Sequence, residues 1–331
     1  MKSHKLGVVL FQLGGPDSRE AIEPFLYNLF SDPDIIDFPL ARLARKPLAR
    51  LIASRRGKHV AHHYEAIGGK SPIREFTERQ ARALEVELRR DFDAQVVVAM
   101  RYWHPFTEEA VRRMSAFAPE DLVLLPLYPQ FSKTTTGSAH KEWNRLYCPT
   151  GATRVHAVHE FYDDPAYIDA VTAFVNAEMA RYDNPAEVDV VFSAHSVPVS
   201  VIDSGDPYRR QIERTVELVW EKGRWPARRH LCYQSKVGPS KWLRPMMRET
   251  LEALAAAGRR QVLMVPISFV SDHVETLFEI DIEHREIAQR AGIADFRMVP
   301  GLNDAQPFIL ALAGLVRRPV AAGIAPLAAS R

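Results

Sequence analysis

The sequence predicts an α/β protein of two Rossmann-like domains, each built on a doubly wound parallel sheet, that enclose an active-site cleft. Continuous apolar runs such as residues 6–13 and 262–267 are typical of parallel strands that helices cover on both faces. These runs alternate with helical patterns, and the alternation begins again after residue 151. The two halves of the chain therefore follow the same order of strands and helices.

Length and composition are those of a globular protein with room for two domains. The chain has 331 residues, of which 47% are hydrophobic and 25% are charged. We expect a first domain over residues 1–150 and a second domain over residues 151–304. A C-terminal helix over residues 305–318 and a disordered Ala/Pro/Gly-rich tail over residues 319–331 complete the prediction.

Three features of the sequence limit the cellular compartment and the classes of binding partner that we expect. They are the net charge, the N-terminal residues and the cysteines. A formal net charge of +2 argues against nucleic acid as a partner, because nucleic acid calls for a much more basic chain. The N-terminal apolar run is too short for a signal peptide, and no window approaches the roughly 20 apolar residues of a membrane span. Cys148 and Cys232 are isolated, as is usual in a reducing compartment. These features predict a cytoplasmic protein, and nothing in them indicates an oligomeric state.

Elements of the first half follow from apolar periodicity and turn residues. Strands are predicted over residues 6–13, 95–101 and 122–127, and helices over residues 18–30, 71–90 and 107–117. Gly14-Gly15-Pro16 predicts a tight turn after the first strand, but the complete G-x-G-x-x-G and Walker A patterns of nucleotide-binding loops are absent. Ser71 is a candidate N-cap of the helix that follows it.

Residues 35–56, which we call the basic segment, differ in character from the rest of the first half. Leucines and isoleucines alternate there with Arg42, Arg45, Lys46, Arg50, Arg55 and Arg56. The segment fits an anionic membrane surface or the rim of an apolar pocket. It fits equally well a helix that packs on the core and exposes a basic face.

Three histidines, His59, His62 and His63, lie just beyond the basic segment. Their spacing suits a metal ion, but histidines on a polar stretch more often face solvent. Both interpretations stay open on the sequence alone.

The second half places polar residues after its strands. Strands are predicted over residues 154–158, 188–193, 229–233, 262–267 and 296–299, and helices over residues 165–182, 208–220, 242–257 and 305–315. His195 follows the second of these strands, and a polar turn at residues 268–272 follows the fourth. Because open α/β sheets bind ligands beyond the carboxyl ends of their strands, we expect a site there.

The helix predicted after this polar turn carries a row of carboxylates. At 3.6 residues per turn, with Ser271 as candidate N-cap, one stripe is formed by Asp272, Glu275, Glu279, Glu283 and Glu286. Like charges at this spacing cost about 0.2–0.5 kcal/mol per pair, so stability alone does not account for them. A solvated acidic face is the alternative, but apolar residues occupy most of the remaining circumference. This pattern indicates a mostly buried helix whose carboxylates face a cleft or channel.

The acidic helix strengthens a functional interpretation of His195, because the residue and the helix both follow strands of the same half of the chain. A histidine at a strand end is also common as a satisfied core residue. Ser193 and Ser196 flank it, but the G-x-S-x-G elbow of serine hydrolases is missing. An imidazole that faces a row of carboxylates suits proton abstraction, binding of a borderline divalent metal ion, or both.

Seven stretches of the chain resemble the signature sequences of the ferrochelatases. They are LGGP, YEAIGGKSPI, MRYWHPFTEEA, LYPQFSKTTTGS, VVFSAHSVP, CYQSKVGPSKWL and ISFVSDHVETLFEIDIE. The matches occur in order over nearly the whole chain. The resemblance implies two Rossmann-like domains around a cleft and an enzyme that inserts Fe²⁺ into protoporphyrin IX. This reaction forms protoheme in the last step of heme biosynthesis and releases two protons.

The resemblance also implies roles for individual residues. His195 matches the family's candidate base and metal ligand, and Glu275 matches its partner glutamate. The row proposed to move protons or metal is matched by Asp272, His273, Glu279 and Glu283. Porphyrin-binding positions are matched by Leu13, Arg56, Tyr64, Ser71, Arg101, Tyr102, Trp242 and Phe269. The basic segment corresponds to the apolar lip through which family members approach membranes, which implies peripheral contact with the inner membrane surface.

Two positions distinguish this chain within the family pattern. Cluster-bearing members have a cysteine where Lys133 stands and further cysteines near the C-terminus, which this chain lacks. We therefore expect no iron–sulfur cluster and no other prosthetic group, with Fe²⁺ as a substrate. Members that act on coproporphyrin tend to have a tyrosine near Leu13, so the leucine favours protoporphyrin IX.

Two other functions remain open. A chelatase for another tetrapyrrole or metal ion would share the fold and the His–Glu pair, and substrate preference would distinguish it. A binding protein of periplasmic type also has two α/β lobes. The missing signal peptide and the carboxylate row argue against it, and binding without turnover would be its mark.

Overall fold

The computed structural model describes residues 4–33, 41–149, 151–236, 238 and 240–322. The described residues form two compact units. The first unit is drawn from Met1–Tyr128, Ser132–Glu160 and Asp304–Arg331, and the second from Pro129–Phe131 and Phe161–Asn303.

A four-stranded parallel sheet of order β2-β1-β3-β4 forms the centre of the first unit. Its strands are β1 (Lys5–Gln12), β2 (Asp93–Met100), β3 (Asp121–Pro126) and β4 (Arg154–Ala157). Helices α1 (Ile22–Ser31), α2 (Ala41–Ala66), α3 (Ile73–Leu88), α4 (Thr107–Phe117) and α5 (Ser138–Leu146) and the π-helix π1 (Lys133–Gly137) accompany it. β1 and β3 are buried along almost their whole length, as their continuous apolar runs predict.

The second unit repeats this plan with a parallel sheet of order β6-β5-β7-β8. Its strands are β5 (Val188–His195), β6 (Arg228–Gln234), β7 (Gln261–Pro266) and β8 (Asp295–Met298). Its helices are α6 (Pro165–Met179), α7 (Val199–Asp203), α8 (Tyr208–Gly223), α9 (Met247–Ala256), the π-helix π2 (Glu275–His284) and α10 (Arg285–Ala291). The last helix, α11 (Gln306–Ala322), returns to the first unit and packs on α3 and β3.

Both sheets share their strand order and their register. Phe11 of β1 pairs with Pro126 of β3, and Ser193 of β5 pairs with Pro266 of β7. Leu13 and His195, each two residues further along, therefore occupy equivalent positions. The prediction of an α/β fold with two parallel sheets and flanking helices is confirmed.

The structure differs from the expected organisation at three places. The expected boundary at residue 151 precedes β4, but Leu124 pairs with Ala157, so β4 belongs to the first sheet. α5 was not predicted, because its buried positions, such as Ala139 and Trp143, are too few to give an apolar period. α11 continues past its expected end at residue 318 to Ala322, although the last buried apolar residue on it is Val316. Residues 323–331 of the expected tail lie outside the described residues.

The basic segment is described only from residue 41, where it forms the first part of α2. Residues 35–40 lie outside the described residues. Leu48 and Leu51 are exposed at 37% and 49%, while Ala49 and Ala53 are buried. No described helix is long and apolar enough to cross a membrane.

Candidate active site

The carboxyl ends of β5 and β7 lie at the point where the strand order of the second sheet reverses. Ligands of open α/β sheets bind at such points. His195 is the last residue of β5, and π2 begins with Glu275 after the loop that follows β7. The sheet thus brings together two residues that lie 80 positions apart in the chain.

His195 and Glu275 form the central contact of this site. Nδ1 of His195 lies 3.0 Å from Oε2 of Glu275, and Nε2 of His273 lies 3.7 Å from the same oxygen. The Phe269 ring packs edge-on against both imidazoles, with centroid distances of 6.3 Å to His195 and 4.6 Å to His273. The His195 and Glu275 side chains remain 35% and 25% exposed, so a ligand can reach them.

Three neighbours that were not predicted from the sequence hold this pair in place. The backbone N–H of His195 donates to Oγ of Ser268 at 3.0 Å, and its carbonyl accepts from the Tyr208 hydroxyl at 2.9 Å. Nε2 of Gln234 donates to the carbonyl of Glu275 at 3.0 Å. Gln234 ends β6 and Ser268 follows β7, so the strand-end rule that selected His195 would have found both. Tyr208 begins a helix and carried no such signal.

The two serines beside His195 do not form a nucleophile–base pair with it. Oγ of Ser193 donates to Oε1 of Gln234 at 2.6 Å, and Oγ of Ser196 donates to the carbonyl of Leu243 at 3.3 Å. Both serines are buried. These contacts argue against the serine-hydrolase alternative.

Burial and charge act in opposite directions on the pKa values of the central pair. Burial disfavours the charged form of Glu275, but the positive charge of His195 and its hydrogen bond hold the pKa of Glu275 well below its usual range. Burial also disfavours the charged form of His195, but the charge of Glu275 and its hydrogen bond raise the pKa of His195 above its usual value. Together they stabilise the pair of imidazolium and carboxylate.

The acidic helix does not begin where the sequence predicted. It begins at Glu275 and is a π-helix as far as His284, so the expected N-cap at Ser271 is wrong. Asp272 precedes the helix, and its carboxylate accepts from the N–H of Gly301 at 3.1 Å, from Nδ2 of Asn303 at 2.9 Å and from Oγ1 of Thr276 at 3.0 Å. Runs of π-helix are rare and occur frequently at functional sites.

The carboxylates of π2 become more exposed along the helix. Glu279 is half-buried and accepts two bonds from Ser235, from the backbone N–H at 2.9 Å and from Oγ at 2.5 Å. Burial, followed by the negative charge of Glu275, raises the pKa of Glu279 to about 7. Glu283 and Glu286 are exposed, so the predicted stripe is buried only near His195.

Ser235 reaches Glu279 through an unusual backbone conformation. Its φ is +65°, in the left-handed region that residues other than glycine rarely occupy. This conformation directs both its N–H and its hydroxyl to one carboxylate. Strained residues of this kind cluster at functional sites.

In the first unit, a buried carboxylate fixes two predicted porphyrin-binding residues. Oδ2 of Asp32 accepts from the Tyr102 hydroxyl at 2.6 Å, lies 2.9 Å from Nη2 of Arg101 and accepts from Oγ of Ser138 at 3.0 Å. Asp32 is only 4% exposed. It was not predicted from the sequence, because it follows a helix rather than a strand and belongs to no recognisable motif.

The turn after β1 brings three predicted residues into one region of the first unit. The carbonyl of Leu13 accepts from the N–H of Tyr102 at 3.0 Å. A Cβ atom at Gly15 would lie 2.6 Å from Oγ of Ser71, so this approach requires glycine. Ser71 is buried, and its hydroxyl accepts a long bond of 3.4 Å from the N–H of Ile73 at the start of α3.

The remaining predicted residues lie on α2 and after β6. The Arg56 guanidinium lies over the Phe30 ring at 5.7 Å, and Tyr64 is buried near the end of α2. Trp242 forms a backbone bridge with Pro198, so the chain is extended there and α9 begins five residues later than predicted, at Met247. The buried indole N–H of Trp242 has no hydrogen-bond partner among the described residues.

Three histidines after the basic segment contact one another on α2. Ring centroids are 5.9 Å apart for His59 and His62, 6.0 Å for His59 and His63, and 4.2 Å for His62 and His63. Within the described part of the chain, no three side chains of His, Cys, Asp or Glu are arranged to hold one metal ion together.

Comparison with known proteins assigns the family. The sequence pattern of the family described as Ferrochelatase matches residues 5–320. The ferrochelatase of Gloeobacter violaceus is 47% identical over 317 residues, which cover 94% of this chain and 97% of that protein. The ferrochelatase of Thermosynechococcus vestitus is 47% identical over 321 residues, which cover 96% of this chain and 82% of that protein.

Solved structures share the fold at much lower identity. SirB from Bacillus subtilis with Fe³⁺ superposes with a TM-score of 0.57 at 11% identity, over 99% of this chain and 100% of that chain. The sirohydrochlorin chelatase SirB from Bacillus subtilis subspecies spizizenii, in complex with cobalt, gives a TM-score of 0.56 at 12% identity with the same coverage. The sequence matches over nearly the whole length establish that the chain belongs to the ferrochelatase family.

Proposed function

We infer that this protein inserts Fe²⁺ into protoporphyrin IX to form protoheme, with release of the two pyrrole protons. The observation that carries the mechanism is the 3.0 Å contact between Nδ1 of His195 and Oε2 of Glu275 at the switch point of the second sheet. Metal insertion needs a base for the protons, a path by which they leave, and ligands for the incoming ion. The contacts around this pair can supply all three.

His195 is the base in this mechanism. The Glu275 carboxylate raises the pKa of the imidazole, so the neutral form of His195 is a stronger base than free imidazole. A positioned general base contributes typically about 10²- to 10⁴-fold in rate. The hydrogen bond that His195 donates to Ser268 and the one that it accepts from Tyr208 fix its backbone and so its approach to the ligand.

Glu279 and Glu283 carry the protons away. A carboxyl group with a pKa of about 7, as in Glu279, both accepts and releases protons near neutral pH. Glu283 is exposed and passes them to solvent. Asp272, which was expected in the same row, instead holds the loop before π2 through Gly301 and Asn303, so we assign it a positioning role.

The incoming metal is held by the central pair. Imidazole and carboxylate ligands suit Fe²⁺, and also Zn²⁺ and Co²⁺. Glu275 provides one ligand, and His195 provides a second only while its imidazole is neutral, because one lone pair cannot hold the ion and a pyrrole proton at the same time. The four pyrrole nitrogens of the porphyrin take the place of the remaining ligands as insertion proceeds. His273 lies beside the Glu275 carboxylate and limits its movement.

Porphyrin contacts are proposed for each unit separately. In the first unit, Arg56, Tyr64 and Ser71 bind the propionate groups, which a guanidinium and hydroxyl groups recognise through hydrogen bonds. Leu13, Arg101 and Tyr102 line the inner pocket, the last two held by Asp32. In the second unit, Phe269 and Trp242 supply apolar contact.

The basic segment contacts a membrane surface at its periphery. Leu48 and Leu51 are exposed on α2 beside Lys46 and Arg50, which are also exposed. Apolar side chains among cations suit an anionic lipid surface. This arrangement supports a cytoplasmic protein that meets the inner membrane surface, where apolar porphyrins partition.

The reaction is tested anaerobically by adding Fe²⁺ and protoporphyrin IX and following the loss of free-porphyrin fluorescence. The wild-type chain is expected to remove the fluorescence rapidly. His195→Ala is expected to be slower by about 10²- to 10⁴-fold, because the base is missing. Glu275→Gln is expected to lower turnover far more than porphyrin affinity, which fluorescence titration measures.

His104→Ala removes an exposed imidazole from the first unit and serves as the matched control. Equal activity of wild type and His195→Ala would refute the role of His195. Turnover with coproporphyrin but not with protoporphyrin IX would refute the substrate. Tight porphyrin binding without turnover on any porphyrin or metal ion would refute the enzymatic function and favour a binding protein.

A further inference from the structure

The three histidines of α2 lie outside the site described above and have no part in the proposed reaction. His59 and His62 are exposed, and His63 is half-buried. His59 lies three residues before His62 and four before His63, so it shares a helix face with each of them. The centroid distances of 4.2–6.0 Å show that the rings gather at one place on the surface.

Stability does not explain this cluster. Protonated imidazoles in mutual contact repel one another, and Arg56 adds a positive charge one turn before His59 on the same helix. Neutral imidazoles at this spacing, in contrast, are the ligands that a helix presents to a metal ion, as in the H-x-x-x-H pattern. The cluster thus has the composition of a ligand set rather than of a helix-stabilising contact.

The geometry suits the pair His59 and His63. Two imidazoles on one tetrahedral ion, with metal–nitrogen bonds of about 2.0–2.1 Å, have ring centroids about 5 Å apart. The observed 6.0 Å between His59 and His63 comes within this range by small rotations of exposed side chains. No third protein ligand is arranged around them in the described part of the chain, so a bound ion would take its remaining ligands from water.

We propose that His59 and His63 form a surface binding site for a borderline divalent cation, such as Zn²⁺, Co²⁺, Ni²⁺ or Fe²⁺. The site is independent of the pair formed by His195 and Glu275 and does not rest on the proposed function. Its occupation adds positive charge on the face of α2 that carries Arg56. It also links two successive turns of α2.

The test is calorimetric titration of the tag-free chain with Zn²⁺ alone at pH 7.5, in the His195→Ala background so that the central pair does not contribute. We expect one Zn²⁺ site to remain in this background. His59→Gln and His63→Gln are each expected to weaken it at least about tenfold, because loss of even a hydrogen bond behind a metal ligand commonly costs about 10- to 100-fold. His63→Cys supplies a thiolate ligand and is expected to retain binding.

Lys58→Gln and His62→Gln are the controls on the same helix. Neither is expected to change the Zn²⁺ affinity, because among the three histidines only His59 and His63 have the i, i+4 spacing of the H-x-x-x-H pattern. Unchanged affinity in both His59→Gln and His63→Gln would overturn the site. A loss in His62→Gln as large as in His63→Gln would overturn the assigned pair. Thermal unfolding without metal checks that each variant keeps its fold.

Discussion

The contact between His195 and Glu275 makes the stability of the second unit depend on pH. The pKa of Glu275 is lowered in the folded state, so its contribution is present above its usual value of 4.5 and is lost as the pH falls through the lowered value. The pKa of His195 is raised, so its contribution is complete below its usual value of 6.5 and is lost as the pH rises through the raised value. The stabilising contributions of Glu275 and His195 are therefore both complete only between pH 4.5 and 6.5.

Glu275→Gln is therefore expected to lower the free energy of unfolding most between about pH 4.5 and 6.5. The difference from wild type should become smaller at higher pH, where His195 loses its proton, and at lower pH, where Glu275 gains one. Denaturant unfolding of wild type and Glu275→Gln at a series of pH values measures this difference in the free energy of unfolding. A difference that does not change with pH would contradict the charge interaction.

At Glu279, the hydrogen bonds from Ser235 oppose the effect of burial. Both bonds favour the charged carboxylate and so lower its pKa, whereas burial and Glu275 raise it to about 7. Ser235→Ala removes the bond from Oγ and keeps the bond from the backbone N–H. We expect the pKa of Glu279 to rise above 7 in this variant.

Carbon-13 NMR of glutamate side chains over a pH series measures this change. The spectrum of Glu279→Gln identifies the signal, because that signal alone should disappear. A pKa that stays the same or falls in Ser235→Ala would show that the hydroxyl does not support the charged form.

Among the elements, π2 departs most from what the sequence predicted. Its carboxylates at spacings of three and four fit an ordinary helix, and side-chain periodicity contains no information on whether N–H groups bond to the fourth or the fifth preceding carbonyl. The contacts at the start of the helix are both local and tertiary, and locally Oγ1 of Thr276 accepts from the N–H of His273 and donates to Asp272. Asp272 is held by Gly301 and Asn303, some 30 residues later in the chain, so no local pattern reveals them.

At α2, the cations of the basic segment are expected to determine binding to anionic lipid. Replacing Arg45, Lys46 and Arg50 by glutamine removes three charges, each worth about 1 kcal/mol near such a surface, so affinity should fall about 100-fold. Co-sedimentation with phosphatidylserine-containing liposomes measures this. The exposed leucines are retained, so the variant isolates the electrostatic contribution.

The matched control removes the same number of charges at Arg79 and Arg82 of α3 and at Arg90 just after it, whose side chains are exposed. It should bind the liposomes as wild type does. Equal weakening by the two triple variants would mean that net charge, and not α2, governs the binding. Unchanged binding of the α2 variant would refute the membrane contact.

For the whole molecule, most strands and the repeated order of elements could be predicted from the sequence. Continuous apolar runs identify β1, β3, β5 and β7 because parallel strands are buried on both faces. The assignment of elements to a sheet could not be predicted, since pairing of β4 with β3 is a long-range choice that leaves no periodic signal. Of the site, residues at strand ends such as His195 could be found, whereas Asp32 could not.

Because α11 packs in the first unit, truncating one of its buried side chains should destabilise the first sheet and not the second. Leu312 is completely buried, and Leu312→Ala should cost about 2–5 kcal/mol as a core truncation. Because α11 packs on α3 and β3, we expect hydrogen exchange to accelerate in β1 and β3 and to remain slow in β5 and β7. Leu251→Ala in α9, equally buried in the second unit, should give the opposite pattern. Equal acceleration in both sheets would contradict a local effect.

The shared register of the two sheets gives this protein an internal reference for spectroscopy. Leu13 follows β1 and His195 ends β5, and each lies two residues after one of the equivalent pairs Phe11–Pro126 and Ser193–Pro266. A chemical shift that depends on pH at His195 and is constant at Leu13 therefore reports ionisation at the site and not a general change at the ends of the strands. The signal of Leu13 thus serves as the reference for the signal of His195 in the same spectrum, and no second sample is needed.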